Sequence, residues 1–373
     1  MPDQIYGVTW NGAEKVSYTY DPLGRLTNRK VASFSNAYTY EDVGEDKTTT
    51  LVKSVVTPAG TYSYTYDNIG NILSITDGTY TATYAYDSLN QLVRANDARA
   101  GKTYTYSYSN GNITEKKEYA YTTGELGEVL DTKTWSYGDT VWSDLLTDFN
   151  GTAITYDEVG NPLTIGSKEL SWLGRQLTQI TDGEEEFSYA YNGDGQRVSK
   201  TVNGTTTEFI YNGDILAGQK IGNDVLVFMY DNNGDPFGFI YNGTEYYYIK
   251  NAQNDVTAIA SADGTIIANY YYDSWGKLIE TTGNATIAEL NPIRYRSYYY
   301  DSETEWYYLN TRYYSPELCR FISSDGYVQT GHGILDKNMF AYCENNPTNK
   351  VDKNGTNPAA VLYAAFVVII FGF

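Results

Sequence analysis

The sequence predicts an all-β fold in which one long antiparallel, tyrosine-rich ribbon curls into an open spiral or partial cocoon-like shell. The chain has 373 residues, among them 40 Tyr and 34 Gly but only 9 Pro. Tyr suits half-buried strands, and Gly suits tight turns. Apart from a weak pattern over residues 335–341, no stretch before residue 356 has helical periodicity over three turns.

A short unit recurs along the chain: Tyr-Asp, two residues, Gly, one residue and an aliphatic residue. Clean copies begin at Tyr20, Tyr66 and Tyr272, and a copy with one extra residue begins at Tyr156. Alternation before each unit places the tyrosine rings on one face of a strand. The Asp side chain caps a turn and the Gly accepts a positive φ, so each unit is predicted to be strand, tight turn and strand.

Asn-Gly and Asp-Gly dipeptides between the units predict further hairpin turns, for example at residues 110–111 and 203–204. One hairpin cannot bury its aromatic face alone, whereas stacked neighbours can. An ordinary sandwich or a propeller is the alternative fold. A propeller blade needs about 40–50 residues, and the observed unit is shorter.

Charge and rare residues exclude several function classes. The net charge is −20 without a basic stripe, which argues against a nucleic-acid partner. His332 is the only histidine, so Ser-His-Asp and Cys-His catalysis are nearly excluded, and Cys319 and Cys343 form no disulfide framework. The acidic stretches 301–305 and 184–186 fit no calcium-binding loop and are interpreted as solvated. No cofactor and no metal are expected.

A denser group of motifs lies between residues 291 and 356. In order these are NPIRY (291–295), YYYDSET (298–304), WYYL (306–309), TRYY (311–314), RFIS (320–323) and VDKNG (351–355). Together with the Tyr-Asp unit, they resemble the YD-repeat family, also called rearrangement-hotspot (Rhs) proteins. The resemblance covers residues 1–356, and its last part is similar to the Rhs-associated core of polymorphic toxins.

The resemblance implies a shell that encloses a toxic C-terminal domain, and a core that cuts the chain just after itself by an aspartyl-protease-like step. It divides the chain into a repeat ribbon (1–290), a core (291–356) and an apolar tail (357–373) that is the start of a variable C-terminal region. Because only 17 residues form the tail, we expect the chain to be a shell segment of a longer ancestor or an orphan gene product.

By the same resemblance, Asp325 and Asp352 are the catalytic acids, because two adjacent carboxyl groups can share one proton and activate water. Arg312 is expected to orient a carboxylate or to polarise the scissile carbonyl, and Arg320 is a second candidate for that role. The alternative interpretation is structural: the acids belong to ordinary turns and Arg312 to an ion pair.

The resemblance places the scissile bond between Thr356 and Asn357, directly after Gly355. Relatives carry Asp-Pro-x-Gly-Leu at this point, whereas here Lys353 replaces the Pro and Thr356 replaces the Leu. Pro stiffens a turn, and small displacements of a scissile bond are costly. Whether self-cleavage survives both changes is therefore open.

The predicted function is that of a toxin-encapsulating shell fragment, secreted or held at a cell surface as part of a longer chain. Its partners are then a toxin cargo or the missing N-terminal shell and delivery segments. The first residues carry no signal peptide. The apolar run of the tail, residues 359–371, is slightly short for a bilayer, so we expect it to pack on the concave face of the ribbon rather than to contact a membrane.

The alternative function is a cell-surface adhesion module that binds carbohydrate through exposed tyrosine rows. The two hypotheses differ in where the rings point. Rings buried between strands remove the glycan site, whereas an exposed aromatic row along a groove weakens the shell hypothesis.

Overall fold

The computed structural model describes residues 4–10, 12–44, 47–326, 335, 337–356 and 358–360. Within these residues it contains 33 β-strands, one short α-helix and two single-turn 3-10 helices. The predicted all-β class is confirmed.

The first 27 strands form one continuous antiparallel meander, in which each strand pairs with its neighbours in sequence. No pairing joins the first strand of this described ribbon to its last, so the sheet is open. In chain order the strands are β1 (Gly7–Trp10), β2 (Ala13–Tyr20), β3 (Leu26–Val31), β4 (Phe34–Gly44), β5 (Lys47–Thr57), β6 (Gly60–Tyr66), β7 (Ile72–Thr76), β8 (Thr81–Tyr86), β9 (Leu92–Asp97), β10 (Lys102–Ser109), β11 (Asn112–Ala120), β12 (Val129–Ser136), β13 (Asp148–Phe149), β14 (Thr152–Tyr156), β15 (Pro162–Ile165), β16 (Lys168–Leu173), β17 (Gln176–Asp182), β18 (Glu185–Tyr191), β19 (Arg197–Val202), β20 (Thr205–Asn212), β21 (Ile215–Ile221), β22 (Asp224–Tyr230), β23 (Pro236–Tyr241), β24 (Thr244–Lys250), β25 (Val256–Ala260), β26 (Ile266–Tyr272) and β27 (Leu278–Gly283).

The Tyr-Asp unit forms the turn that its residues predict. Between β6 and β7, Asp67 Oδ1 accepts the amide hydrogens of Ile69 (3.0 Å) and Asn71 (2.8 Å), and Gly70 has a φ of +93°. The strand register shifts by one residue at Tyr66. The same pair of amide contacts recurs at Asp21, Asp87, Asp157, Asn192, Asp231, Asn251 and Asp273.

The tyrosine of the unit links neighbouring hairpins through its hydroxyl group. Tyr66 donates to the Val52 carbonyl (2.5 Å), and Tyr86 donates to the Ile72 carbonyl (2.6 Å). Each bond spans 14 residues of sequence. A phenylalanine ring has no hydrogen-bond donor and could not make this bond. Trp172 makes the corresponding bond through its ring N–H, which donates to the Pro162 carbonyl (2.7 Å).

The ribbon winds past itself, so that its early strands lie against its late strands. Tyr18 in β2 donates to Asp231 Oδ2 (2.8 Å), and Lys15 forms an ion pair with Glu245 (2.7 Å). Further contacts of this kind join Ser33 to Ala262, Arg99 to Glu280 and Tyr271 to Asp97. The prediction of an open, curling ribbon is confirmed.

Beyond the ribbon, the secondary structure consists of short elements. A helix that the sequence did not predict, α1 (Ala285–Leu290), begins after Asn284, whose Oδ1 accepts the amide hydrogen of Ile287 (3.1 Å). The described part of residues 335–341 forms turns instead of the weakly predicted helix. The remaining elements are two 3-10 helices (Tyr295–Ser297 and Cys343–Asn345), a four-stranded sheet of β28 (Tyr299–Asp301), β29 (Trp306–Tyr308), β30 (Tyr313–Ser315) and β31 (Arg320–Phe321), and the pair β32 (Lys350–Val351) and β33 (Ala359–Ala360).

Residues 291–356, here called the core segment, pack against the ribbon along much of its length. The Tyr314 hydroxyl donates to the Trp275 carbonyl (2.6 Å), and Asn345 Nδ2 donates to Gln91 (2.9 Å). One buried hydrophobic cluster contains side chains of both the ribbon and the core segment. The predicted boundaries 1–290, 291–356 and 357–373 stay a prediction.

The expectation that residues 301–305 form a solvated acidic loop was wrong for its first residue. Asp301 is fully buried, and its carboxylate accepts hydrogen bonds from Arg197 (2.6 and 3.0 Å) and Lys200 (2.8 Å) of β19. Glu303 accepts a further bond from Lys200 (2.9 Å). A carboxylate beside two buried cations is held inside the protein by their charge.

Candidate active site

The structure brings the predicted acids and the predicted arginine together inside the core segment. Arg312 precedes β30, is 6% exposed, and lies with its guanidinium carbon 3.6 Å from the centre of the Phe321 ring. Its Nη2 atom is 3.3 Å from Asp325 Oδ2 and 3.3 Å from Asp352 Oδ2. The two carboxylate oxygens therefore lie no farther apart than twice that distance.

Backbone contacts fix Asp325 beside Arg312. The Asp325 amide donates to the Met339 carbonyl (2.9 Å), and Arg312 Nη1 donates to the same carbonyl (2.9 Å). Asp325 is 4% exposed. One carbonyl oxygen thus sets the position of both residues, and sequence reasoning did not identify Met339 because its contribution comes from the backbone.

Asp352 caps the turn that leads to the end of the core segment. Its Oδ1 atom accepts the amide hydrogens of Gly355 (2.9 Å) and Thr356 (2.9 Å), and its own amide donates to the Tyr298 hydroxyl (3.1 Å). Asp352 is 1% exposed. The turn holds the carboxylate next to the peptide bond that joins Gly355 to Thr356.

Two side-chain donors from adjacent residues lie near the Gly355 carbonyl, although the single hydroxyl hydrogen of Thr311 can go to only one acceptor. Arg312 Nε donates to this carbonyl at 2.5 Å, and Thr311 Oγ1 lies 3.0 Å from it and 2.7 Å from the Asn354 carbonyl. Gly355 has a φ of +78°, and a Cβ atom there would lie 2.7 Å from Thr311 Oγ1. Sequence reasoning did not single out Thr311, although it directly precedes Arg312.

Burial and charge act against each other at this site. Burial lowers the pKa of the Arg312 guanidinium below its ordinary value, while Asp325 and Asp352 act to raise it. Removing a cation and two carboxylates from water is costly unless they remain together. Asp352 and Arg312 contact the backbone of Gly355 and Thr356, and Asp325 lies beside the same guanidinium, an arrangement that suits activation of water and stabilisation of developing negative charge.

Arg320, the second candidate for the arginine role, lies outside this group. It donates to the Tyr137 hydroxyl (2.8 Å) and to the Asp144 carbonyl (2.6 Å), and its guanidinium lies 4.8 Å from the Phe340 ring centre. These contacts anchor the core segment to the ribbon. Asn357, His332 and the apolar run of the tail beyond residue 360 lie outside the described residues.

The tyrosine rings point mainly into the structure. In the described part of the chain, only Tyr6, Tyr80 and Tyr121 expose 40% or more of their surface, and they belong to different segments of the ribbon. They form no continuous row of the kind that the adhesion hypothesis needs. Within the same residues, no group of three or more His, Cys, Asp or Glu is placed to hold a metal ion, and no helix is long and apolar enough to cross a membrane.

Comparison with known proteins agrees with this architecture. The family model named teneurin YD-shell matches residues 46–222 and 219–348. The chain belongs to this YD-shell family. The predicted YD-repeat resemblance is thereby confirmed, and the open ribbon is a shell of this family.

The WapA relative and the solved toxin chains are much longer than this chain. It is 36% identical over 229 residues to the tRNA3(Ser)-specific nuclease WapA of Bacillus spizizenii, an alignment that covers 59% of this chain and 10% of that protein. The crystal structure of TcdB2-TccC3-Cdc42 superposes with a TM-score of 0.71 and 21% identity, covering 93% of this chain and 20% of that one. The Tc holotoxin pore of Photorhabdus luminescens gives 0.68 and 20%, over 96% of this chain and 20% of that chain. The chain thus spans about a tenth of the WapA relative.

Proposed function

We propose that this YD-shell chain is part of an Rhs polymorphic toxin, in which the ribbon encloses a toxic C-terminal region and the core segment releases that region by self-cleavage. The similarity to a nuclease of Bacillus and to a holotoxin component supports a toxin cargo. The observation that carries the proposal is the burial of Asp325, Asp352 and Arg312 together beside the end of the core segment.

The proposed reaction is aspartyl-protease-like hydrolysis of the chain's own backbone. One carboxyl group takes a proton from water while the pair returns a proton to the leaving nitrogen. Arg312 stabilises the negative charge that develops on the carbonyl oxygen. Because substrate and catalyst belong to one chain, the effective concentration is high and modest activation suffices. The reaction uses water and side chains of this chain, without a cofactor.

Self-cleavage is proposed at the peptide bond between Thr356 and Asn357, which the family resemblance implies. Intact-mass spectrometry of freshly expressed protein tests this. The expected result is a shortened chain plus a short C-terminal peptide for the wild type, and full mass for Asp325→Asn and Asp352→Asn. A wild-type chain that stays at full mass contradicts the enzymatic proposal, and indicates that Lys353 and Thr356 have disarmed the site.

Two core arginines provide a matched control. Arg312 and Arg320 are both buried and both stack on phenylalanine rings, but only Arg312 contacts the two acids. We expect Arg312→Gln to abolish cleavage and Arg320→Gln to destabilise the protein while leaving the cleavage product detectable. Equal loss of cleavage in both variants would indicate a general folding defect instead.

The proposal also assigns roles to the three predicted segments and a location. Residues 1–290 form the wall, residues 291–356 close it, and residues 357–373 begin the enclosed variable region, with N-terminal shell and delivery segments completing a secreted or surface-bound assembly. Limited proteolysis of a secreted chain that carries such a region should leave the region intact as long as the ribbon is intact. Early loss of the region from an intact ribbon would contradict enclosure.

A further inference from the structure

One copy of the repeat unit carries two chemically complementary side chains in the same turn. In the turn between β24 and β25, Lys250 stands where the clean copies have Tyr, and Asn254 stands where they have Gly. The turn keeps the pattern of the repeat, because Asn251 Oδ1 accepts the amide hydrogens of Gln253 (3.0 Å) and Asp255 (2.9 Å). Asn254 takes the positive φ of the replaced glycine, +69°. This copy therefore holds a primary amine and a primary amide side by side.

The Lys250 amine faces the carbonyl group of the Asn254 side chain, and a carboxylate faces the nitrogen of that amide. Lys250 Nζ donates to Asn254 Oδ1 (3.0 Å), and Asn254 Nδ2 donates to Asp235 Oδ1 (3.3 Å). Lys250 is only 3% exposed, whereas Asp235 is partly buried and also lies 3.7 Å from Lys353 Nζ. A nucleophile, an amide and an acid–base group thus follow one another in one chain of hydrogen bonds.

Burial prepares Lys250 for nucleophilic attack, because it favours the neutral amine. Desolvation is the main cause that lowers the pKa of Lys250 from 10.5 to about 7. Asp235 and Asp231 oppose this shift, and Arg29 and Lys353 add to it. A large fraction of the amine is then neutral at neutral pH. A buried, neutral lysine amine is a nucleophile, whereas an ammonium group is not.

We propose that Lys250 and Asn254 become joined by an intramolecular isopeptide bond, formed with Asp235 as the acid–base catalyst. Reacting groups held within hydrogen-bond distance have a high effective concentration, which an unactivated amide needs. The product is a neutral amide, so bond formation also removes the cost of burying a cation. This modification is independent of the proposed self-cleavage, because none of its three residues belongs to the candidate active site.

The atoms of the step balance without an oxidant or any other co-reactant. The electron pair of the neutral Lys250 Nζ forms a bond to Asn254 Cγ, while Asp235, as a carboxylate, takes one proton from Nζ. Asp235 then passes that proton to Asn254 Nδ2. The bond between Cγ and Nδ2 breaks, ammonia leaves, and a secondary amide remains between the two side chains.

The isopeptide bond should accumulate after folding, because a primary amide is a weak electrophile and only the neutral lysine reacts. Freshly folded chains therefore carry a free Lys250 that still titrates. Incubation at pH 9, where that lysine is neutral, should raise the cross-linked fraction until it is the major form.

Peptide mapping by tandem mass spectrometry tests the bond in the purified full-length chain, before and after incubation at pH 9. The expected product is a peptide that contains both Lys250 and Asn254, is not cut by trypsin after Lys250, and lacks the mass of one ammonia molecule. A succinimide at an asparagine lacks the same mass, but it leaves Lys250 open to trypsin. An unmodified Lys250 after incubation, or ammonia loss with Lys250 still open to trypsin, would overturn the proposal.

Variants that keep the turn separate the roles of the three residues. Asn254→Gly restores the glycine that the clean copies have at this position, so it should fold and lose the cross-link entirely. Asn90→Gly is the matched control, because Asn90 occupies the same position of another copy, with a φ of +63° and with Tyr86 in place of a lysine. It should cross-link as the wild type does.

Asp235→Asn should slow formation of the bond by about 10²-fold or more, as loss of an acid–base catalyst does. A cross-linked Lys250 peptide in Asn254→Gly would show that Asn254 is not the acceptor. An unchanged rate in Asp235→Asn would overturn the role of Asp235.

Discussion

Replacing Asp301 with Asn should destabilise the shell strongly, because it leaves two buried cations without their shared counter-charge. Asp301 is fully buried and accepts from Arg197, which is 1% exposed, at 2.6 and 3.0 Å, and from Lys200 at 2.8 Å. Breaking a buried ion pair by removing one partner costs about 3–5 kcal/mol. In the described part of the chain Glu303 pairs with Lys200 but not with Arg197, so we expect a loss within that range.

The assay is urea unfolding at pH 7, followed by tryptophan fluorescence, with a solvent-accessible ion pair as control. Lys15 and Glu245 lie 2.7 Å apart with side chains 17% and 28% exposed. Exposed ion pairs contribute about 0–1 kcal/mol, and this pair is partly exposed, so Glu245→Gln should lower the unfolding free energy less than Asp301→Asn does. If Asp301→Asn loses no more stability than Glu245→Gln, the reasoning about the buried pair is refuted.

The ion pairs of Asp301 with Arg197 and Lys200 also predict how the stability of the protein depends on pH. Burial alone would raise the pKa of Asp301, but Arg197 and Lys200 outweigh it and hold that pKa below its ordinary value. A carboxylate with a lowered pKa contributes its full stability above its unfolded pKa, near about 4, and loses it as the pH falls through the folded value. The stability difference between wild type and Asp301→Asn should therefore narrow below about pH 4.

Three further predictions concern the repeat, a buried lysine and the end of the core segment. Tyr66→Phe should cost about 1 kcal/mol of unfolding free energy by losing its hydrogen bond, whereas exposed Tyr80→Phe should cost less than about 0.5; equal urea midpoints would contradict this role of the Tyr66 hydroxyl. Burial lowers the pKa of Lys250 from 10.5 to about 7. Lys250→Met should therefore stabilise the protein, by up to about 4 kcal/mol at pH 6 and less at pH 9, where the folded lysine is already neutral; a pH-independent gain in urea titrations contradicts this. By mass spectrometry, Gly355→Ala should block cleavage, whereas Gly204→Ala, with a similar φ of +83° but open space around its Cβ position, should leave cleavage unchanged; cleavage of Gly355→Ala would contradict the crowding argument.

The ribbon was predictable from the sequence because its determinants are local. The unit at residues 66–72 contains its own cap, Asp67, its own left-handed residue, Gly70, and a tyrosine whose partner carbonyl lies one hairpin earlier. Asn110 and Asn203 likewise adopt positive φ before glycine, as type I′ hairpin turns require. Each such feature spans no more than one repeat, so its spacing in the sequence reveals it.

Features that depend on distant residues were missed. Helix α1 has only six residues and depends on the Asn284 cap, so no helical period is long enough to be seen. Asp301 was assigned to a solvated loop because its cation, Arg197, lies 104 residues away in the sequence. Local charge patterns indicate that a carboxylate is present but do not show which cation the fold brings to it.

The candidate site, too, depends on residues that are distant in the sequence, so the sequence alone did not predict how it is assembled. Asp325 and Asp352 were named from the family resemblance, since nothing in their separation predicts that both reach one arginine. Thr311 and the Met339 carbonyl were not named at all, because a hydroxyl and a backbone oxygen carry no charge pattern. Bringing these groups together requires the packing of the core segment, which shares one buried cluster with the ribbon.

The turn and acid interpretations of Asp352 are compatible, because the two oxygens of its carboxylate have separate tasks. In the ribbon, Asp67 and Asp157 cap backbone amides with Oδ1 and bond with Oδ2 to the side chain of Asn71 or Asn161 within the same turn. Asp352 likewise caps amides with Oδ1, but its Oδ2 faces the guanidinium that also contacts the second acid. The partner of Oδ2 thus distinguishes the Asp352 turn from the structural turns of the ribbon. That partner is set by the fold, because all of these turns share the same spacing between Asp and Gly.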